Sequence, residues 1–337
     1  MSREEEMINL ISNNMPQSLL RLNKPFQADS EMIDIDGETY FFNIDNFSEE
    51  DMFFDEDPYV LGWNMAVGCI SDIFASGGKP LFYAHSFCAK KEWTKDYIDQ
   101  LSKGISDVLR QTSTVFIGGD FSISSDWNYT GSVIGKPFDK PIMRSGAKDG
   151  DKLFITGKIG KGNIHAGLKL FPDNDYLKAL KSNFNNRFSI RNDEALFINQ
   201  YCNCCIDTSD GVFNALNNIS DINNTGYEIT YVPFLEEGTH MANKLCIPVE
   251  LLFIGECGEY ELLFAVGEDK YEEFKNHLEK THYTMFEIGN ITCPDKRLIS
   301  TSERKINLFD FKKRARDFDD IKLYLNEIKM YLSSQEV

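Results

Sequence analysis

The chain has 337 residues, which is more than one ordinary domain needs and enough for two. Its formal net charge is -18, which argues against nucleic acid and anionic membrane surfaces as partners, since both require basic patches. Nucleotides remain candidate ligands, because magnesium can link an acidic protein to a phosphate.

The cysteines and the N-terminus indicate the cellular setting. Of the 8 cysteines, only those at 202, 204 and 205 cluster, and they lie in an apolar run without a second pair at zinc-ribbon spacing. Buried free thiols are therefore the favoured interpretation. Residues 1–7 are acidic without an apolar signal core, and no apolar stretch reaches membrane-spanning length. We expect a reduced protein in the cytoplasm.

Hydrophobic periodicity predicts mixed helices and strands in the N-terminal half. Residues 2–22 are expected to form an amphipathic helix that Pro16 interrupts. Asp36-Gly37 is a hairpin signal between the first two strands. The remaining pattern predicts strands at 32–35, 39–44, 81–89, 115 onward and 129–135, and helices at 58–75 and 92–111.

A linker over residues 137–141 divides the chain into expected domains of 1–138 and 139–337. The second domain again mixes both kinds of element, and we expect residues 172–186 to be irregular. Its predicted strands are 152–156, 204–207, 227–232, 262–266 and 286–291, and its predicted helices are 163–170, 193–203, 211–219, 238–245, 270–280 and 321–332. Both halves are thus predicted to be α/β.

The stretch from Val115 to Ser122 carries the first chemical signal. An apolar strand-forming run is expected to end at Gly118-Gly119, followed by Asp120. Glycines allow a phosphate to approach backbone amides, and a carboxylate can hold the cation that bridges phosphate oxygens. A simple turn with an exposed acid is the alternative interpretation.

Acids in similar settings recur along the chain, at strand ends or helix starts beside small residues. They are Asp29, Asp45, Asp72, Asp120, Asp207 and Asp210. Ser209 and Gly211 place hydroxyl and amide donors beside the last two, at a helix start suited to an anion. Divalent cations with phosphates would relieve the repulsion among such acids, so the pattern predicts phosphoryl transfer from a nucleoside triphosphate. The sequence has neither a P-loop nor the protein-kinase motifs.

Six motif blocks carry a resemblance to a known family. They are Leu-Gly-Trp-Asn-Met-Ala-Val at 61–67, Ile-Ser-Asp-Ile at 70–73, Gly-Gly-Lys-Pro at 77–80, Ile-Gly-Gly-Asp at 117–120, Met-Arg-Ser-Gly-Ala-Lys-Asp-Gly-Asp at 143–151 and Ile-Asp-Thr-Ser-Asp-Gly at 206–211. In this order they resemble the aminoimidazole ribonucleotide synthetase superfamily, and within it the thiamine-monophosphate kinase branch. The resemblance runs from about residue 27 to about residue 318.

The resemblance implies a two-domain α/β (α+β) PurM-like fold. The N-terminal sheet is expected to pair with that of a second subunit, so a homodimer is implied, and the C-terminal domain is expected to be an α/β sandwich. The implied activity is an ATP- and Mg²⁺-dependent kinase that passes the γ-phosphoryl group to a small vitamin-type metabolite. The default acceptor is thiamine monophosphate, which gives thiamine diphosphate.

The resemblance also assigns roles to residues. The implied magnesium ligands are Asp29, Asp45, Asp72, Asp120, Asp207 and Asp210, of which Asp120 and Asp210 are the expected catalytic pair. The implied nucleotide contacts are Gly119, Asp120, Arg144 and Ser209, and the implied acceptor contacts are Met52, Gly258, Glu259 and Phe311. Arg144 suits its role physically, because a guanidinium can fork onto phosphate oxygens.

Four positions depart from the family pattern. An acid is missing at Ala28 and a hydroxyl at Ile44, while Met52 and Gly258 stand where a histidine and a substrate-contacting glutamate are expected. A related kinase or synthetase of the same fold with another substrate, such as alpha-ribazole kinase, is therefore one alternative. A non-catalytic nucleotide-binding protein is the other.

Overall fold

The computed structural model describes residues 3–16, 19–302 and 304–335. These residues form two β-sheets with helices, which confirms the predicted α/β class. The first helix, α1, spans Arg3–Asn13 and ends before Pro16, which cannot continue a helix. The expected extension to Leu22 is wrong, because Arg21 instead pairs with a strand residue, Ile33; residues 17 and 18 lie outside the described part.

The N-terminal sheet has five strands in the order β1-β2-β5-β3-β4. Their bounds are β1 Glu31–Ile35, β2 Glu38–Phe47, β3 Gly78–Lys90, β4 Val115–Ser124 and β5 Asn128–Pro137. The β1–β2 hairpin turns at Asp36-Gly37, where both residues have positive φ, as the sequence signal predicts. Only β3 and β4 pair in parallel, which leaves β1 and β4 at the two edges.

Helix α2, Pro58–Ala75, is the central helix of the molecule. It contacts the N-terminal sheet on one side and elements of the C-terminal half on the other. Buried on almost every side, it is apolar over most of its surface, as such a position requires. Helix α3, Lys95–Gln111, crosses it closely, since a Cβ at Gly62 would lie 2.0 Å from the Leu101 carbonyl oxygen. No helix in the described ranges has both the length and the apolar character needed to cross a membrane.

The structure corrects the expected turn at Gly118-Gly119. Both glycines and Asp120 lie inside β4, where Gly119 pairs with His85 and Asp120 with Ser86. The register shifts by one residue at this point, so that the extra residue forms a bulge, and Gly118 has a φ of 132° there. The glycine signal thus marks a strand irregularity and not the end of the strand.

The C-terminal half contains a seven-stranded sheet in the order β12-β11-β8-β10-β6-β9-β7. The strands are β6 Lys152–Thr156, β7 Cys202–Asp207, β8 Gly226–Ile229, β9 Leu262–Val266, β10 Met285–Thr292, β11 Arg297–Ser300 and β12 Lys305–Asn307. The helices are α4 Lys161–Leu170, α5 Asp175–Lys181, α6 Asn192–Ile198, α7 Val212–Asn223, α8 Glu236–Leu245, α9 Leu251–Ile254, α10 Glu268–Leu278 and α11 Ile321–Ser334. Most of the predicted elements are present.

Several predicted boundaries in this half are wrong. The segment expected to be irregular contains α5, which Asn174 caps by accepting a hydrogen bond from the Leu177 amide. The helix expected over 193–203 ends at Ile198, because Cys202 already pairs with Val266 in the sheet. The short strands β11 and β12 were not predicted, since four and three residues are too few for periodicity to show.

Candidate active site

A cavity of about 970 Å³ lies between the N-terminal sheet, α2 and the C-terminal half. We call it the central cavity. Its wall contains β2 residues 42–47, the loop at 50–53 and the segment 255–258, together with side chains from α2 and from the end of β7. The two halves of the chain therefore build this cavity jointly.

Three carboxylates converge on the central cavity from distant parts of the sequence. Asp29 precedes β1, Asp72 lies in α2 and Asp207 ends β7, and one oxygen from each lies within 4.8 Å of the others. Burial raises the pKa of Asp207 to about 6 and that of the neighbouring Asp45 to about 7, and repulsion between the acids adds to both shifts. Burial and the same repulsion raise the pKa of Asp72 well above its ordinary value.

The donor set of this cluster fits a hard divalent cation. The Oδ2 atom of Asp29 is buried and has no hydrogen-bond partner within the described residues. Asp207 is held in place by the hydroxyls of Ser71 and Ser209, with Ser209 Oγ donating to Asp207 Oδ1 at 2.8 Å. Carboxylate oxygens are the ligands that Mg²⁺ prefers in proteins. The held carboxylate of Asp207 and the unpaired Oδ2 of Asp29 are therefore suited to bind Mg²⁺.

Groups suited to an anion lie beside the carboxylate cluster. The Arg144 guanidinium donates to Asp29 Oδ1 from Nη2 at 2.6 Å and from Nε at 3.1 Å. Ser209 and Asp210 directly precede α7, whose N-cap residue is Gly211. A helix N-terminus and a planar guanidinium both favour phosphate oxygens. Cation-binding and phosphate-binding groups thus meet in one wall of the central cavity.

The loop after β2 forms another part of the wall. Met52 lines the central cavity with a φ of 58°, at the end of a 3₁₀ turn over Glu49–Asp51. The ring of Phe53 lies 5.3 Å from that of Phe47 and 6.1 Å from that of Tyr260, measured between centroids. This region of the cavity is therefore bordered by aromatic rings, which favour flat ligands.

Two expected acceptor contacts lie away from the wall of the central cavity, as far as the described residues show. Glu259 is buried and accepts hydrogen bonds from the amides of Gly160 and Gly162 at 3.0 and 3.3 Å, so it caps the start of α4. Phe311 is buried in the C-terminal core against Phe213. In these positions Glu259 stabilises the start of α4 and Phe311 packs in the core. The other two expected acceptor contacts, Met52 and Gly258, line the central cavity.

Gly119 and Asp120 are also separated from the carboxylate cluster within one chain. Both are exposed on β4, the edge strand of the N-terminal sheet. In the part of the chain that the structure describes, the wall of the central cavity contains neither of them. The structure therefore brings together Asp29, Asp45, Asp72 and Asp207, with Asp210 nearby, but not Asp120.

The sequence interpretation missed an arginine at the rim of the site. Arg314 forms ion pairs with Glu256 at 3.1 Å and with Asp210 at 3.5 Å, and both acids line the central cavity. The available signal was the run Lys312-Lys313-Arg314-Ala315-Arg316, because basic clusters stand out in a chain with a net charge of -18.

His165 was missed as well, because it lies in an otherwise apolar helical pattern. It lines the central cavity from α4, and its ring stacks on Phe188 with centroids 5.3 Å apart. Burial lowers the pKa of this histidine to about 3, so the ring is neutral at physiological pH.

The fold and this site define a two-sheet α/β protein whose carboxylate-rich cavity is suited to metal-bound phosphate. Residues 27–136 match the family model described as AIR synthase related protein, N-terminal domain. This N-terminal part of the chain is thus similar to AIR synthase-related proteins, as the sequence resemblance indicates.

Several relatives of the chain are thiamine-monophosphate kinases. The enzyme of that name from Bacillus subtilis is 26% identical over 243 residues, which cover 69% of this chain and 74% of the relative. The one from Methanopyrus kandleri is 35% identical over 103 residues, but this match spans only 32% of that relative. A solved structure described as AaThiL complexed with AMPPCP and TMP has a TM-score of 0.72 at 22% identity, covering 91% of this chain and 96% of that one. At that identity the structural match establishes the fold.

Proposed function

We propose that this protein is an ATP- and Mg²⁺-dependent kinase that transfers the γ-phosphoryl group to a small vitamin-type metabolite. Thiamine monophosphate is the default acceptor and thiamine diphosphate the product. The observation that carries the proposal is the meeting of three carboxylates with Arg144 and Ser209 at one cavity wall. The thiamine-monophosphate kinases among the relatives support the same activity.

The residues of the cavity wall suit the steps of this reaction. Asp29, Asp72 and Asp207 would hold Mg²⁺, which supplies charge neutralisation on the transferring phosphate. Arg144 would fork onto phosphate oxygens and Ser209 would donate to them. An oxygen of the acceptor phosphate attacks the γ-phosphorus, the bond from that phosphorus to the β–γ bridging oxygen breaks, and ADP leaves. The second pKa of a phosphate monoester is about 6, so its oxygen needs no general base at neutral pH.

Asp45, Asp210 and Asp120 belong to the same proposal as further metal ligands. Asp45 and Asp210 line the central cavity, which supports their inclusion. Asp120 and Gly119 lie on the exposed edge strand β4, so they could reach nucleotide only in the cavity of a second copy of the chain. Glu259 and Phe311 keep at most an indirect role in acceptor binding, through the positions of α4 and of the C-terminal core.

A homodimer through the N-terminal sheet is part of the proposal. Strand β4 exposes Val115, Ile117, Phe121 and Ile123, each by more than half of its surface. A long apolar edge strand left in water would be an aggregation hazard, so we propose that a second copy of β4 covers it.

We also propose the domain division at 138/139, supported by the end of the family match at residue 136. The 8 free cysteines support a reducing, cytoplasmic setting.

One observation favours a related kinase with a different acceptor. A Cβ atom at Gly258 would lie 1.5 Å from the Thr208 carbonyl oxygen, so a glutamate cannot be built there without moving the backbone. The glutamate expected of a thiamine-monophosphate kinase is thus excluded sterically at this position. Alpha-ribazole, which pairs a flat base with a sugar hydroxyl, is the alternative acceptor that the aromatic border of the cavity accommodates.

An ADP-release assay across candidate acceptors tests the proposal. The purified full chain is incubated with ATP, Mg²⁺ and either thiamine monophosphate or alpha-ribazole, and an Asp72→Asn variant serves as the control for contaminating kinases. ADP release that depends on thiamine monophosphate and disappears in the variant supports the default acceptor. Release with alpha-ribazole alone supports the alternative, and nucleotide binding without release on any acceptor would favour the non-catalytic protein.

A further inference from the structure

His165 of α4 is a buried polar side chain in the wall of the central cavity. It is 1% exposed, and neither Nδ1 nor Nε2 has a hydrogen-bond partner within the residues that the structure describes. A neutral imidazole carries one N–H donor and one acceptor nitrogen, and buried groups of this kind normally form hydrogen bonds. The ring therefore keeps hydrogen-bonding capacity that a molecule bound in the central cavity can use.

The neighbours of His165 are aromatic rings. The imidazole stacks on Phe188 at an interplanar angle of 26°, and the ring centroids of Phe54 and Phe184 each lie 6.2 Å from its own. Phe53, which lines the central cavity, lies 5.6 Å from Phe188. A phenyl ring has no hydrogen-bonding side-chain atom to offer the imidazole. The site thus combines apolar rings with one polar edge, which suits a flat ligand with a polar atom at its rim.

The start of α4 is held firmly, which fixes the position of His165. A Cβ at Gly162 would lie 2.1 Å from the Gly258 carbonyl oxygen, so the first turn of α4 packs directly on that backbone. The Glu259 carboxylate accepts hydrogen bonds from the amides of Gly160 and Gly162. A side chain on a helix anchored in this way can select a ligand by geometry, because little of its position is left to adjust.

The charges around His165 keep its ring neutral. Burial, together with the positive charges of Lys161 and Lys169 on the same helix, lowers the pKa of the histidine to about 3. Lys169 forms an ion pair with Asp55 at 3.1 Å, and Lys161 donates to the Arg187 carbonyl oxygen at 2.7 Å. The ring therefore recognises a ligand through a neutral hydrogen bond and not through an ion pair.

We propose that His165 is a specificity-determining residue for the phosphoryl acceptor. Its ring forms a hydrogen bond with a nitrogen or amino group at the edge of a flat heterocycle that lies against the aromatic rings of the central cavity. This inference rests on the proposed kinase function and names the acceptor class, a nitrogen heterocycle joined to the group that is phosphorylated. Thiamine monophosphate, through its aminopyrimidine, and alpha-ribazole, through its free ring nitrogen, both offer this chemistry. His165 lies beyond residue 136, where the match to the family model ends.

Calorimetry with the full chain tests the inference without requiring turnover. Thiamine monophosphate and alpha-ribazole are each titrated into protein that holds Mg²⁺ and the non-hydrolysable ATP analogue AMPPCP. We expect His165→Phe to weaken binding of whichever acceptor wild type binds by about tenfold, the value of one neutral hydrogen bond, and to leave AMPPCP binding unchanged. His240→Phe is the matched control, because His240 is exposed on α8 and should not affect acceptor binding.

Two further measurements separate a ligand contact from a structural role. His165→Phe removes buried polar atoms that have no partner, so its melting temperature without ligand should equal or exceed that of wild type. His165→Asn places an amide near the position of Nδ1, and His165→Gln places one near that of Nε2. We expect one of these two variants to bind the acceptor more tightly than His165→Phe does, which identifies the nitrogen that makes the contact.

The inference is overturned if His165→Phe binds the acceptor like wild type or if His240→Phe weakens binding as much. Equal weakness of the Phe, Asn and Gln variants, or a His165→Phe chain that melts below wild type, also contradicts it. Failure of the kinase proposal would look different, since the acceptor would bind with the loss in His165→Phe, but no ADP would be released. A wild-type chain that binds neither acceptor contradicts both proposals.

Discussion

Arg144 and Asp29 form an ion pair at the wall of the central cavity, in which Nη2 and Nε of the guanidinium both donate to Asp29 Oδ1, at 2.6 and 3.1 Å. The Asp29 side chain is 1% exposed and the Arg144 side chain 20% exposed, so water screens the pair little. The guanidinium offsets part of the repulsion between Asp29 and its acidic neighbours. In the proposed reaction the same guanidinium would bind a nucleotide phosphate.

The first prediction concerns this pair. Arg144→Gln leaves Asp29 buried beside other acids without its partner, so we expect the free energy of unfolding to fall by about 3 kcal/mol in EDTA. Mg²⁺ should restore part of the loss, because a cation replaces the missing positive charge. Denaturant unfolding with and without Mg²⁺ measures both effects. An equal loss in the two conditions would show that the cation does not bind at this cluster.

The second prediction is that the carboxylate cluster lowers stability while serving catalysis. Burial and the neighbouring acids raise the pKa of Asp72, so its ionised form is disfavoured in the folded state. Asp72→Asn removes this cost, and we expect a higher melting temperature than wild type in EDTA. The same variant should lose kinase activity by about a hundredfold or more, because one metal ligand is weakened. Asp173→Asn, at an exposed acid, is the control that should change neither quantity. A destabilised Asp72→Asn variant would contradict the repulsion.

The third prediction concerns Asp120, which is exposed on β4. If Asp120 acts in the cavity of a second copy, Asp120→Asn and Asp72→Asn should each be nearly inactive but should complement each other when mixed. Random exchange of subunits then gives half heterodimers with one intact site of two, so about a quarter of wild-type activity returns. No recovery after verified subunit exchange would mean that both residues act in the same chain or that Asp120 has no catalytic role.

The fourth prediction is that β4 forms the dimer contact. Ile117 is 58% exposed at this edge, and Ile117→Asp places a charge where apolar surfaces should meet. Light scattering at micromolar concentration should report twice the chain mass for wild type and a shift toward the monomer for the variant. Ile35→Asp on β1, the opposite edge of the sheet, is the matched control and should remain dimeric. A monomeric wild type would refute the dimer.

The sequence was informative where one physical signal dominates. The apolar α2 and the Asp36-Gly37 hairpin are found as predicted. The structure also brings Asp29, Asp72 and Asp207 together, and their role as metal ligands stays a prediction. The central cavity could not be predicted in this way, because its wall joins β2 to the segment 255–258 across more than two hundred residues. Local patterns carry no information on such long-range contacts.

The glycine signal at Gly118-Gly119 shows a second limit. A glycine pair is compatible with a turn, with a phosphate loop and with a bulge, and only the pairing of β4 with β3 decides between them. Glu259 is similar, since an acid within a family motif predicts a ligand contact, whereas here its carboxylate caps α4. In both cases tertiary contacts determine what a residue of a given type does.

The most direct test of the account is ³¹P NMR of a reaction with thiamine monophosphate, ATP and Mg²⁺. The signal of the acceptor phosphate should be replaced by the two coupled signals of a diphosphate while ADP accumulates, and Asp72→Asn should abolish this conversion. Wild-type protein that binds ATP but leaves thiamine monophosphate unchanged, or that releases inorganic phosphate from ATP instead, would contradict the claim that this chain phosphorylates thiamine monophosphate.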